Sequence, residues 1–303
     1  MPRIPIDQWV NQAVTAISTG GAGVFGPISV GVNGLIAALV KVLMLPPAPA
    51  TALIFALIAW WVRSLPFGVF TFAVFLLIDA MGLWAPAMAT LALVLVASVF
   101  ALAIGIPIGI IAALNDRFST IVRPILDFMQ TMPAFVYLIP AVTFFGIGTV
   151  PGVIATLIFS MPAGVRLTEL GIRQVDREVV EAGEAFGSPP SQILFKIRLP
   201  LALPTIMAGV NQVIMLSLSM VVIAGIVGAG GLGSSVYQSI TRLDVGVGFE
   251  GGLGVVILAI FLDRLTASLS RGRERAPSGT RSSSLPSLIS GLFKRTGLAQ
   301  AGS

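Results

Sequence analysis

Residues 87–113 run for 27 positions without a charged side chain, residues 204–226 for 23, and residues 131–165 for 35. A bilayer core takes about 20 apolar residues in one helix. In that solvent every backbone N–H and C=O must find its partner inside the protein. The first two stretches are long enough to cross. The third is too long for one crossing and carries a Gly/Pro break, GIGTVPG, at residues 146–152. None alternates polar and apolar positions as barrel strands do. The chain is therefore an all-α, polytopic transmembrane bundle. Composition agrees: 56% of the 303 residues are hydrophobic and only 10% charged, against about 25% charged in a soluble domain.

The remaining segments sort around these spans. Residues 1–27 are polar to mixed, with Gly20, Gly21, Gly23 and Gly26 forming a flexible run. Residues 30–45 are apolar around Lys41 and short for a span, so two placements stay open: along the interface, or across. Pro46, Pro47 and Pro49 then break the chain. Spans are expected at 50–62, 66–84, 87–113, 124–145, 153–165, 204–226 and 246–264, about seven in all. Four regions result: an N-terminal region (1–45), accessory helices (46–86), a core transmembrane domain (87–269) and a tail (270–303). The tail is rich in Ser, Gly, Pro and Arg and reads as disordered. Trp60, Trp61 and Trp84 suit membrane interfaces. The first twenty residues lack the apolar run of a cleavable signal peptide.

Basic residues set the orientation. Arg166, Arg173, Arg177, Lys196 and Arg198 fall in one polar block, residues 166–203. The positive-inside rule places that block in the cytoplasm. Alternation then puts Arg63, the 115–123 link and the tail inside, and the 146–152 and 227–245 links outside. The net charge of +5 is thus a feature of cytoplasmic loops and points to no nucleic acid.

Catalytic and metal chemistry is thinly provided for. There is no His and no Cys, which removes thiolates, histidine bases and most transition-metal sites. GIVGAGGLG (225–233) is glycine-rich but lacks the following GK[ST] of a phosphate loop, so it reads as a helix end or tight outer turn. Asp79, Glu250 and Asp263 lie toward span ends, where snorkelling or pairing (Asp263 with Arg264) accounts for them.

The polar block has local structure of its own. VVEAGEAF (179–186) is helical, with Ala182, Ala185 and Phe186 on one small, flat face and Glu181 and Glu184 away from it. Gly183 weakens this helix and Gly187 ends it. Ser188 then caps a second helix that begins at Pro189 and carries Ile193, Leu194 and Ile197 on its apolar side. Leu199-Pro200 returns the chain to the membrane. A bare connection needs only a few residues, so a helix–turn–helix held at the membrane reads as an element that fits a groove in a soluble partner.

Glu181, Ala182, Gly183, Gly187, Ile197, Leu199 and Pro200 match the pattern E-A-x, three residues, G, nine residues, I-x-L-P. This resembles the EAA motif of permease subunits of binding-protein-dependent ABC importers, with Gly183 where that family usually has Ala. Residues 126–175 and 203–233 are similar to the glycine betaine/proline branch, and the likeness covers about 87–265. The resemblance implies a MetI-like permease fold. It also implies that ATP is hydrolysed in a separate cytoplasmic ATPase subunit, two copies of which meet the coupling loop. Further implied partners are a second permease copy, as a homodimer, an extracellular or periplasmic solute-binding protein, membrane lipid and a small zwitterionic solute. No cofactor is implied. The protein would lie in the inner (plasma) membrane.

Candidate pathway residues are Met132, Phe135 and Tyr137 near the cytoplasmic start of one span, and Asn211, Gln212 and Ser219 along another. Gating or packing are open readings for the first group, and interhelical hydrogen bonding or a polar pathway strip for the second. No compact aromatic cage for a quaternary ammonium is evident. Selection would then fall to the binding protein, leaving choline, carnitine or another zwitterion as alternative solutes. An ion-coupled carrier would need paired midplane charges or clear broken-helix sites. A membrane enzyme would need chemistry that these residues do not supply.

Overall fold

Helix α1 (Ile6–Met44) opens the chain, followed by α2 (Ala48–Val62), α3 (Leu65–Ala80), α4 (Trp84–Leu114) and α5 (Asp116–Thr131). A 3-10 turn (Ala134–Tyr137) leads into α6 (Leu138–Phe145), then come α7 (Thr149–Arg173) and α8 (Arg177–Ala185). The short α9 (Pro190–Gln192) runs through a π-helical stretch (Ile193–Arg198) into α10 (Leu199–Ala224), and α11 (Gly231–Arg242) and α12 (Val245–Arg271) complete the chain. The protein is described from a computed structural model covering residues 6–271. The expected disordered tail lies outside the described residues from position 272 onward.

The core is α7 between α4 and α10. In a bilayer no hydrophobic force drives helices together, so small residues that admit close approach do much of the work. A Cβ on Gly109 of α4 would lie 2.6 Å from the Val165 carbonyl oxygen of α7. On the other side, one on Gly171 would meet Thr205 Cβ at 2.9 Å, and one on Gly209 would meet Leu167 Cβ at 2.9 Å. Ser217 of α10 adds a hydrogen bond to Ser160 of α7 at 3.2 Å.

Several expectations need correction. The glycine run at 20–26 is helical: it lies inside α1, which continues over Pro27 to Met44. From Gly23 onward α1 is apolar enough to cross a membrane, where unpaired backbone is costly and a helix is favoured even through glycine. Phe25 of α1 stacks on Phe144 of α6 at 5.1 Å between ring centroids and meets Phe145 edge-on at 5.2 Å. Among the described residues, five helices are long and apolar enough to cross a membrane, including Gly23–Met44, and a bent pair brings the number to six. The 15-residue α2 and the 16-residue α3 reach only about 22 and 24 Å at 1.5 Å per residue, short of a ~30 Å hydrocarbon core. The expected single helix over 124–145 is broken: α5 and the segment Ala134–Phe145 are bent by 105°. Pro133 is the cause, since it drives the preceding Met132 into extended backbone, ψ 136°. The block expected to leave the membrane at residue 166 instead stays helical to Arg173.

One end of the bundle is tied by glycine turns. Gly148 donates its N–H to the Val227 carbonyl at 3.0 Å, which joins the 146–149 turn to the 3-10 turn (Gly225–Val227) that follows α10. These are two of the links that charge assigned to one side. Thr90 of α4 accepts the buried Leu232 N–H at 2.8 Å at the start of α11 and donates to Pro86 O at 3.0 Å. Thr90→Val keeps the shape and leaves that N–H unpaired. The expected cost is about 1–3 kcal/mol, read as a lower unfolding midpoint in detergent.

Candidate functional site: the cytoplasmic loop and its ionic seam

Asp176 caps α8 by accepting from the Glu178 N–H at 3.1 Å. At the other end Gly187 adopts φ 74°, a region closed to most side chains. Its N–H donates to Glu184 O at 2.8 Å, and Ser188 N–H donates to Gly183 O at 3.1 Å. This is the Schellman arrangement that stops a helix without wasting its last carbonyls. The second helix begins one residue later than expected: Pro189 stands at the capping position and Pro190 at the first turn, so Ser188 is not the cap. Leu199-Pro200 lies within one continuous helical rod, residues 190–227. The π-helical stretch just before Pro200 widens the turn and removes the clash that a proline ring makes with a regular helix.

The two ends of the motif meet in space. Val180 and Ile193 are buried, and an ideal Cβ on Gly183 would sit 2.6 Å from the Ile197 Cδ1 atom. An alanine there needs only a rotation of the Ile197 tip. Leu199 packs with Ile172, Ala202 and Ile206 at the foot of α7 and α10, while Pro200 is exposed. Glu181 and Glu184 border a cavity of about 420 Å³ shared with Arg173, Arg177 and Arg198. The opposite face is bare: Ala182 and Ala185 are exposed, Phe186 is 90% exposed and Phe195 is 66% exposed. The loop thus has a packed inner face and an apolar outer face with no partner in the described chain.

The candidate pathway residues divide. Gln212 and Ser219 are exposed along one side of α10, and Ser219 donates to Met215 O at 3.1 Å. Asn211 points elsewhere: it donates to Asp263 Oδ1 at 2.9 Å and accepts from Thr266 at 2.6 Å, joining α10 to α12. Asp263 also approaches Arg264, at 3.8 Å. Phe135 is 57% exposed and Tyr137 buried, the latter donating its hydroxyl to Met129 O across the elbow. Met132 is half-buried at the bend and packs on the main core.

Sequence reasoning missed a charged seam. Asp116, Ser119, Arg123 and Asp127 follow one face of α5, and Arg166, Glu169 and Arg173 one face of α7. They pair in antiparallel order. Arg173 meets Asp116 at 2.7 Å, Ser119 and Arg123 donate to Glu169 Oε1 at 2.8 and 2.9 Å, and Arg166 meets Asp127. Arg173 also donates to Glu169 at 2.9 Å and to the Ala112 carbonyl at 2.7 Å, at the last turn of α4. The Glu169 side chain is only 7% exposed. The three- and four-residue spacing of these polar positions was the available signal.

Long apolar helices with two polar elements at one end, a capped loop with an exposed apolar face and a charged seam, fit a membrane permease subunit. The chain belongs to the family described as binding-protein-dependent transport system inner membrane component, whose pattern matches residues 105–275. It is 50% identical to the glycine betaine/proline betaine transport system permease protein ProW of Escherichia coli, over 92% of this chain and 78% of that one. It is also 50% identical to the glycine betaine transport system permease protein OpuAB of Bacillus subtilis, over 89% and 95% of the two chains. The glycine betaine/carnitine permease GbuB of Listeria monocytogenes is 48% identical over 89% and 97%. Among solved structures, an inward-facing methionine ABC transporter, MetNI, matches with a TM-score of 0.59 over 63% of this chain and 95% of that one, at 24% identity. That likeness establishes the MetI-like fold. The protein is a non-catalytic, polytopic membrane permease. Among the described residues, no group of three or more His, Cys, Asp or Glu is placed to hold a metal.

Proposed function

We propose that this chain is the transmembrane subunit of an ATP-driven importer that carries glycine betaine/proline-type solutes into the cytoplasm. The observation that carries the reading is 50% identity, across nearly the whole chain, to two permeases named for glycine betaine. In the proposed assembly two copies stand side by side, each with its 177–200 loop in a cleft of one of two ATPase subunits. An external binding protein delivers the solute. Glu181, Ala182, Gly183 and Gly187 form the docking helix and its stop; Ile197, Leu199 and Pro200 hold it to the membrane foot. The solute passes between the copies along the exposed side of α10, past Gln212 and Ser219, with Phe135 and Met132 at the elbow. Asn211 and Tyr137 shape that route through the bonds they make within the chain.

In this reading residues 87–269 are the core permease unit, with the loop and the tail in the cytoplasm. The short α2 and α3 cross a locally thinned bilayer as accessory helices, and α1 adds a further crossing ahead of them. The test is solute-stimulated ATP hydrolysis in proteoliposomes that hold this chain with its ATPase and binding protein. Glycine betaine and proline, each alone, are expected to stimulate. Stimulation only by choline or carnitine would move the substrate class; none by any of the four would overturn the solute reading.

A further inference from the structure

We propose that the ionic seam between α5 and α7 carries movement of the docking loop to the elbow at Met132–Pro133, with Glu169 as its positioning residue. The inference rests on the importer reading above. The loop is joined to the core by two routes. One runs through the packing of Gly183 on Ile197 into α10. The other runs through Gln174 and Val175 into Arg173 at the end of α7. On this second route Arg173 comes first, and its three nitrogens hold Glu169, Asp116 and the Ala112 carbonyl. From there the seam continues along α5 to Asp127, one turn before the elbow.

The seam is mainly polar, with Leu126 buried beside it. The side chains that bond α5 to α7 are Asp116, Ser119, Arg123 and Asp127, while Ile121, Ile125 and Phe128 on its far side are exposed. An apolar seam would slide as readily in lipid as it packs. A charged one has a register, fixed here by the buried Glu169. Its flanking pairs, Arg166–Asp127 and Arg173–Asp116, lie at the water edge, with Asp127 63% and Asp116 89% exposed. They can part and re-form at little cost. A cavity of about 360 Å³ bordered by Arg123, Asp127, Arg166, Glu169 and Arg173 gives these side chains room to move. A seam that served stability alone would gain little from such exposed pairs.

The experiment uses the complete complex in proteoliposomes and reads solute taken up per ATP hydrolysed. Asp127→Arg and Arg166→Asp are made singly and together, alongside Glu169→Gln. Each single variant is expected to assemble with the ATPase and keep basal hydrolysis within about twofold, because an exposed pair contributes little to folding. Uptake per ATP is expected to fall about tenfold, within the usual range of coupling between linked sites. The charge-swapped pair should restore it, and Glu169→Gln should lower it without rescue by the swap. Wild-type coupling in the single variants, a swap no better than the singles, or unassembled singles would each overturn the seam as a transmitter. Wild-type coupling in Glu169→Gln would overturn the role of Glu169. A wild-type complex without solute-driven hydrolysis overturns the importer reading itself, an outcome distinct from all of these.

Discussion

Gly225→Ala is expected to cost about 3 kcal/mol, the upper end of ordinary overpacking, and to abolish the monodisperse folded protein in detergent. The added methyl would lie 2.3 Å from the Gly233 carbonyl carbon, 2.5 Å from its oxygen and 2.6 Å from Ser234 N. All three are backbone atoms, so no side chain can swing aside. Gly233 faces back in the same manner, its ideal Cβ 2.7 Å from Val221 O. The end of α10 and the start of α11 are thus pressed together through paired glycines. Relief would have to move α11, which Thr90 holds through the Leu232 N–H. Gly252→Ala is the control, since a Cβ there meets nothing within 4 Å. It sits inside α12 and should leave stability unchanged or raise it by up to about 1 kcal/mol through helix propensity. Equal losses in both variants would show a general sensitivity to glycine replacement and remove the close approach as the cause.

The parts of this fold legible in the sequence are those set by solvent. Residues 87–113 and 204–226 could be assigned because a long uncharged helix has one stable environment. The two uncharged turns could be assigned to one side because charge avoids it, and Gly148 and Val227 do meet at one end of the bundle. Tertiary geometry was not legible. GIVGAGGLG could be read as a turn, but nothing local says that Gly225 faces Gly233. Residues 115–123 read as a polar link, and 124–145 as a span, because Arg117 and Arg123 drew attention to charge, not to spacing. Residues 116–127 carry two faces, one paired to α7 and one apolar. Glu169 was hidden by its neighbours: in a block with matching acids and bases, only depth distinguishes the buried carboxylate from the solvated ones. The helical course of residues 20–26 shows the converse error: a glycine run read as loose lies within one helix, where Phe25 packs on Phe144 and Phe145.

Phe186→Asp is expected to separate the permease from its ATPase without unfolding either. Phe186 is 90% exposed, the barest large apolar side chain among the described residues. It stands beside Ala182 and Ala185 on the face of α8 turned away from the bundle. Its ring adds little to the folded chain, so the unfolding midpoint of the isolated permease should stay where it is. In the proposed complex the ring would fill a pocket, and truncating such an aromatic anchor typically costs at least about 2 kcal/mol, or about thirtyfold in affinity. A buried aspartate adds its own desolvation cost. Co-purified ATPase and solute uptake should therefore fall together by that factor or more. Val180→Asp provides the contrast: Val180 is buried on the inner face of α8, so its loss should lower the midpoint as well as the affinity. If Phe186→Asp binds the ATPase as tightly as wild type, the docking face is not this one. The exposed ring would then need another partner. If it loses the ATPase and the midpoint together, α8 depends on Phe186 for its own folding, and the division into a packed inner face and a free outer face is wrong.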